Sequence, residues 1–599
     1  MKADAKPVRT YEPDPSTAFH KYGRAFLRML TGQPPARRPR TFTGGTGILP
    51  VQNDRRDACP TRALNTTKVV RLIAVFLAFF LAALALYSGG LGADAYYDTK
   101  GHILENTHIF AGGRLFDVID IFPQRPITMI TFYVNYLLCG MDPKCFRLVN
   151  IAILSATGVM VTVLIHLILG ISHPGDPRKS DHKVVSVLAG LFFVIHPISM
   201  WATLYIWQRA ALLACFFYVA SLSVYLAVRS GKLAHRTIGY VLCLVLFEAA
   251  LFSKENGISL PVVLLLGEAS LLRARWSETL TRGVVFAIVA VASIFALSLL
   301  EHPHGSRELG NGILDTVTRY YKEAGLSFKQ AILTQCRMFF LYLSLIVEPL
   351  PSRSQLMIPQ TISSSLFWPK ATVWACAGIV VLHTVAVCLL RKRPCLAFGI
   401  LLYSASLLPE AVLVPQYAFF GYRAILPMVG ILIIAGDVLF GVLHTFERRE
   451  GTGRILKGLV AVLGGVYLGL IGAETRGQVE MWRDSTSFWA DVVSRFPEDE
   501  RNVERSPRVQ ALYNLGLSLL EKNRLTQALE MFTEACRVVP ERVECHKAAG
   551  FVLYKLGRLA EAETCFRKAV EINPQDLQAR KGLERVLERL GSGAGGLEK

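Results

Sequence analysis

The feature that most constrains this chain is a succession of apolar runs, the first from Val69 to Tyr87, each long enough to cross a bilayer as a helix. A helix rising 1.5 Å per residue needs about 20 apolar residues to span a hydrocarbon layer of about 30 Å. After the first run, comparable stretches fall near 147–170, 184–198, 203–228, 237–253, 256–272, 283–300, 371–390, 396–414, 424–446 and 455–473, which makes eleven. A hydrophobic share of 52% and a mean hydropathy of +0.37 are too high for an ordinary soluble surface. The expected fold is therefore all-α, a polytopic helical membrane protein with a more polar C-terminal piece attached.

Charge then sets an orientation. The net charge of +19 does not mark a nucleic-acid face, because the basic residues gather in short clusters between the apolar runs and in the N-terminal tail. Arg178-Lys179 with Lys183, Arg229 to Arg236, Arg273 to Arg282, Arg391-Lys392-Arg393 and Arg448 to Lys457 occupy alternate loops. Under the positive-inside rule all of them lie in the cytoplasm when the N-terminus does. Met338 to Leu350 is apolar over only about thirteen residues, nearer to an interfacial or re-entrant element than to a span. If it crossed, the Arg391 to Arg393 cluster would fall outside, so it is placed on the outer face.

These readings divide the chain into a disordered basic cytoplasmic tail at 1–68, a transmembrane domain at 69–473 with external loops at 89–146 and 301–370, a linker and flanking helix at 474–510, helical repeats at 511–590 and a flexible end at 591–599. The tail carries thirteen Lys or Arg against five Asp or Glu, with Pro-rich and Gly-rich pieces that cannot build a core. No cleavable signal peptide is expected in it, since the first apolar run starts only near Val69. The expected location is a plasma (inner) membrane, with the N-terminus cytoplasmic and the repeats extracytoplasmic. Of the twelve cysteines, most sit in apolar runs, and no ligand spacing for zinc occurs. Cys139 and Cys145 flank a bend and can pair in an oxidising compartment.

The C-terminal part repeats at 34 residues: Leu515-Gly516 aligns with Ala549-Gly550, Ala528 with Ala562, Phe532 with Phe566, Ala535 with Ala569 and Pro540 with Pro574. This is tetratricopeptide spacing, in which small residues let paired helices approach and Pro ends the second one. Asp484 to Pro497 and Leu577 to Leu590 are expected to flank and cap the array. Such an array binds a protein or peptide on its concave face, or else only stacks on the membrane part.

In this order the motifs resemble the bacterial tetratricopeptide-containing membrane glycosyltransferases, relatives of the protein O-mannosyltransferases in the GT-C superfamily. The residues that carry the resemblance are Tyr97-Asp98-Thr99-Lys100-Gly101-His102, Gln124-Arg125-Pro126, His196-Pro197-Ile198, Tyr205-Ile206-Trp207-Gln208-Arg209, Ser253-Lys254-Glu255-Asn256-Gly257, Leu408-Pro409-Glu410, Tyr422-Arg423, and Trp482 with Trp489. The resemblance implies transfer of a sugar from a polyprenyl-phosphate donor to a protein hydroxyl outside the cytoplasm. Its departures are losses of polar groups: Thr99 stands where a second acid is common, Met357-Ile358-Pro359 replaces an Asp-rich turn, and Gly421-Tyr422 replaces Glu-His. No metal ligand set is expected, and no cofactor beyond the lipid-linked donor.

Such a transfer needs a base for the acceptor proton and cations for the departing phosphate. Asp98, about ten residues beyond the first span, is the candidate base. His102, Arg125, His196, Arg209, Lys254, Glu255 and Arg423 are the candidate substrate and phosphate contacts, bidentate Arg being suited to phosphate oxygens. Competing readings are structural. A lone Arg at a helix end can snorkel to the headgroups, Lys254 and Glu255 can pair with each other, and His196-Pro197 can simply end a helix. The expected partners are the lipid-linked donor, a protein or peptide acceptor and the membrane, without nucleic acid. The alternatives to this enzyme are a non-catalytic membrane scaffold that recruits a partner through its repeats, and a transferase acting on glycans or lipids.

Overall fold

The computed structural model describes residues 66–94, 99, 103–301, 318, 321–322, 325–348, 358, 360–413, 419–447, 452–496 and 507–594. Among these residues the regular elements are helices. The membrane part comprises α1 (Thr66–Tyr87), α2 (Pro126–Cys139), α3 (Pro143–Ser172), α4 (Lys179–Ile195), α5 (Pro197–Leu204), α6 (Arg209–Arg229), α7 (Arg236–Leu251), α8 (Leu260–Ser270), α9 (Trp276–Glu301), α10 (Phe328–Val347), α11 (Ala371–Leu389), α12 (Pro394–Leu413), α13 (Ile425–Glu447) and α14 (Thr452–Arg483). The outward faces of α1, α11 and α14 expose Leu72, Ile73, Trp374, Val380, Ile455 and Leu463, side chains suited to lipid.

Among the described residues, eight helices are long and apolar enough to cross a membrane, or nine when α4 and α5, bent by 54° at His196-Pro197, count as one broken span. Of the expected eleven, 237–253 and 256–272 form helices of only 16 and 11 residues and 283–300, within α9, is not among the eight, whereas α10, outside the eleven, is. Sixteen residues extend about 24 Å and eleven about 17 Å, short of a full hydrocarbon layer. Proline explains the α4–α5 break: it opens α5 at the first helical position, and the residue before it is pushed to extended backbone.

The segment read as too short is longer than expected, since α10 runs 20 residues and passes the length and composition test for a span. Its contacts reach the start of α11 and the α4–α5 break. Thr334 Oγ1 accepts from Ser363 N at 2.9 Å, Ser363 in turn bonds Thr372 at the start of α11, and Ile346 O lies 3.2 Å from His196 Nε2. The C-terminus of α12 meets the turn between α7 and α8 through a Glu410–Lys254 ion pair.

The helices α3, α4 and α6 form the centre of the bundle, and α12 and α13 cross in contact through glycine. A Cβ on Gly399 would lie 2.6 Å from Gly430 O, and one on Gly430 would lie 2.5 Å from Gly399 O. That close crossing brings the end of α12 to the turn before α13. Tyr87 Oη donates to Val194 O at 2.5 Å and Thr475 Oγ1 to Ile195 O at 2.6 Å, pinning α1 and α14 to the end of α4.

Beyond α14 follow α15 (Ser485–Arg495), the pairs α16 (Pro507–Glu521) with α17 (Leu525–Val538) and α18 (Val543–Lys555) with α19 (Leu559–Ile572), and a last helix α20 (Leu577–Ala594). Ala528, Phe532, Ala535, Ala562, Phe566 and Ala569, the residues of the 34-residue pattern, are buried where the pairs pack. Trp482, Trp201, Phe488 and Trp489 form a chain of aromatic contacts with centroids 5.0 to 5.2 Å apart, joining the bundle to α15. One continuous core runs from the membrane helices through these rings into Leu515 and Phe532.

Candidate active site

The candidate site forms where α2, α7, α8, α12 and α13 end together, and the local sequence explains how. Lys254 to Ser259 make a tight turn between α7 and α8. Gly257 permits it, since a Cβ there would meet Leu251 N at 2.7 Å. The start of α2 docks onto the same turn, with Ile127 N donating to Phe252 O at 3.3 Å and Thr128 Oγ1 to Ser253 O at 3.0 Å. Arg125, which precedes Pro126, thereby reaches Glu255 with two bonds of 3.0 and 3.2 Å while lying over the Phe122 ring.

Beside this pair, Glu410 receives Lys254 Nζ at 2.5 Å on one oxygen, and Arg423 Nε lies 2.9 Å from the other. The second contact is an ion pair without aligned hydrogen-bond geometry, as Glu410 Oε2 accepts no hydrogen bond among the described residues. Lys254, Glu410 and Arg423 are all buried. Lys254 Nζ also sits 5.0 Å from the centre of the Tyr422 ring, a cation–π distance. Tyr422 lies 6.2 Å from Tyr205, which reaches Trp482 at 6.3 Å, so the site and the entry to the repeats share one end of the bundle.

Three cations and two carboxylates leave this cluster one positive charge. Burial works to raise the Glu255 carboxyl, but the charges of Arg125 and Lys254 outweigh it and hold the group below its ordinary value, ionised at neutral pH. A partly desolvated excess of positive charge with guanidinium donors is suited to an incoming phosphate.

The structure therefore gathers Arg125, Lys254, Glu255 and Arg423 from the sequence candidates. Lys254 turns to Glu410 rather than to its neighbour Glu255. Two other candidates make their contacts within the fold. His196 is fully buried, with Nδ1 accepting from Ile198 N at 3.2 Å as the cap of α5. Arg209 is also fully buried, with its donors on Asn150 Oδ1, Asn135 Oδ1, Thr131 O and Phe146 O at 2.6 to 3.1 Å. Those four bonds tie α2, α3 and α6 together. Asp98 and His102 lie outside the described residues. Next to Asp98, Thr99 is buried, and its hydroxyl accepts from Trp207 N at 3.3 Å.

Glu410, quoted only for the resemblance, and Arg147 were not among the candidate site residues. Arg147, buried in α3, donates to the carbonyls of Leu91, Ala93, Asp94 and Leu204 at 2.6 to 3.1 Å, and so fixes the start of the polar loop. The signal was available for both, because an ionisable residue within an apolar run is costly unless partnered. Glu248 follows the same rule, accepting from Ser293 Oγ at 2.6 Å inside the bundle. Cys139 and Cys145, at the turn between α2 and α3, are joined as a disulfide.

Tetratricopeptide repeat models match residues 509–541 and 543–576. The chain is 29% identical to the protein O-mannosyl-transferase TMTC4 of Homo sapiens over 244 residues, which is 39% of this chain and 29% of that protein. It is 28% identical to Tmtc1 of Drosophila melanogaster over 190 residues, 30% of this chain and 20% of the relative, and 30% identical to TMTC3 of Mus musculus over 135 residues, 22% and 13%. The matched stretches thus span less than a third of these relatives. The crystal structure of ArnT from Cupriavidus metallidurans bound to undecaprenyl phosphate aligns with a TM-score of 0.39 and 16% identity over 84% of this chain and 80% of that one. The chain is a helical multi-pass membrane protein that carries tetratricopeptide repeats and is similar in sequence to the protein O-mannosyl-transferases.

Proposed function

We propose that the chain transfers a sugar from a polyprenyl-phosphate donor to a protein hydroxyl on the extracytoplasmic face of the membrane. The observation that carries this reading is the partly buried cluster of Arg125, Lys254 and Arg423 with Glu255 and Glu410, which keeps one net positive charge at the end of the bundle shared with the repeats. The named activity of the sequence relatives supports the same chemistry and makes mannose the first sugar to test.

In this reaction the acceptor oxygen attacks the anomeric carbon while the bond from that carbon to the phosphate oxygen breaks. Asp98, assigned from the sequence, takes the acceptor proton. The departing polyprenyl phosphate carries the new negative charge, which Arg125, Lys254 and Arg423 stabilise together. Glu410 and Glu255 hold the cations in place before the phosphate arrives, so little reorganisation is required. Tetratricopeptide repeats on the same end offer a concave surface for an acceptor polypeptide. Orientation follows from charge: Arg178, Arg229, Lys232, Arg236 and Arg282 lie at the other end, which the positive-inside rule assigns to the cytoplasm.

The test is sugar transfer from a polyprenyl-phosphate mannose donor in membranes containing the full chain. Asp98→Asn should lower transfer by about 10²- to 10⁴-fold, the usual contribution of a general base, and Lys254→Met should lower it as well. Transfer unchanged by Asp98→Asn removes the base assignment. Repeats that bind polypeptide in a wild-type chain with no transfer to any acceptor would instead identify a scaffold.

A further inference from the structure

At the end of the bundle opposite the candidate active site, a cavity of about 570 Å³ opens between α3 and α6, beneath the turn that joins α3 to α4. Its size falls within the range of about 300 to 1,000 Å³ typical of small-molecule sites. The two helices leave room because small residues, Gly170 on α3 and Ala227 on α6, face the gap. The cleft follows α3 from Met160 to His173, about 20 Å of helix. That length matches a path through one leaflet's hydrocarbon, about 15 Å deep, and out to its headgroups.

The walls and the mouth differ in chemistry. Val163, Leu167, Val224 and Leu233 present hydrocarbon along the cleft with His166 among them, while His173, His182 and Lys232 stand at its mouth. Two carboxylates near the mouth are already engaged: Asp437 bonds His173 Nε2 at 2.8 Å, and Asp176 is held by the side chain and backbone of Arg178. Among the described residues Lys232 Nζ has a long contact of 3.5 Å with Leu167 O, and a Cβ on Gly170 would lie 3.2 Å from it, so the amine overlies the cleft. His182 is 4% exposed, and its Nε2 has no hydrogen-bond partner among the described residues. Buried polar atoms left unpaired cost about 1 to 3 kcal/mol, and proteins keep few of them. An apolar cleft of leaflet depth, ending in an ammonium and an unsatisfied imidazole, is complementary to a hydrocarbon chain that ends in phosphate.

We propose that this cleft binds one phosphate-headed membrane lipid from the leaflet at that end, with its chain between α3 and α6 and its phosphate accepting from Lys232 and His182. None of these residues belongs to the candidate active site, so the proposal does not depend on the transferase reading.

The experiment is native mass spectrometry of the full chain released from detergent micelles, with phosphatidic acid as the probe and phosphatidylcholine of the same chains for comparison. The wild-type chain should retain one phosphatidic acid at least about tenfold more tightly than phosphatidylcholine. Lys232→Ala, which alters an exposed side chain, should weaken retention about tenfold, as should Val224→Trp, which fills the cleft. Equal retention of the two lipids, or variants that bind like the wild type, would overturn the proposal. Inorganic phosphate that displaces phosphatidic acid at similar concentrations would also overturn it, by showing that the apolar walls contribute nothing and the occupant is the free anion.

Discussion

Replacing Glu410 by Gln isolates the charge at the centre of the candidate active site, because the two side chains have nearly the same volume. Glu410 is 6% exposed and faces Lys254 Nζ at 2.5 Å and Arg423 Nε at 2.9 Å. Unit charges about 4 Å apart attract by about 4 kcal/mol at an effective dielectric near 20, and each partner here loses such an attraction. Loss of one member of a buried ion pair typically costs about 3 to 5 kcal/mol, since the remaining charge stays desolvated. Glu410→Gln should therefore destabilise the chain by about that amount, measured as the equilibrium unfolding of purified protein in mixed micelles. Adding Lys254→Met removes one of the two stranded cations, so the double variant should be less destabilised than the two single effects summed, with a coupling of about 0.5 to 3 kcal/mol. A loss below about 1 kcal/mol, or strictly additive effects, would refute the claim that these charges depend on each other.

Arg147→Met leaves the carbonyls of Leu91, Ala93, Asp94 and Leu204 without their donor, and at about 1 to 3 kcal/mol per buried unpaired group it should destabilise by at least about 3 kcal/mol. Limited proteolysis should then cut within 91–102 in the variant and spare the wild type. Asp484 caps α15 through Ser487 N and pairs with Lys522, just past the end of α16. Burial pushes its carboxyl up, but the hydrogen bonds from Lys522 and Ser487 prevail and leave it at about 2, below its ordinary 3.8. A depressed carboxyl adds stability above the unfolded value and loses it as pH falls through the folded one. Acid unfolding of the repeats, followed by circular dichroism from about pH 4 to pH 2, should therefore be less steep in Asp484→Asn.

Much of the fold was legible because the strongest signals are local. The apolar runs announced α1, α3, α6, α11, α12, α13 and α14, and the spacing of Ala528, Phe532, Ala562 and Phe566 announced the repeats. Helix length was less legible where neighbours supply the burial. The α7 and α8 segments stop at 16 and 11 residues because their ends fold into the ion-paired turn at Lys254. Arg125, Lys254, Glu255 and Arg423 stood out as charges beside apolar runs, and the structure brings them together. The pairing itself was hidden, since nothing local to Lys254 distinguishes the adjacent Glu255 from Glu410, 156 residues away. His196 and Arg209 carried the same signal as the site residues. What separates them is a set of backbone and amide partners that only tertiary packing reveals.

The bond between Ser485 N and Asp94 Oδ2, 3.3 Å long, closes a separation of 391 residues. Asp94 lies in the polar loop four positions before Asp98, and Ser485 opens the helix that leads into the repeats. At synthesis rates of about 5 to 20 residues per second, the loop waits roughly 20 to 80 s after it is made before that anchor exists. During this interval the membrane helices can already be inserted while the loop lacks its last contact. Completion of the loop is thus timed to the emergence of the segment that joins the membrane part to the repeats.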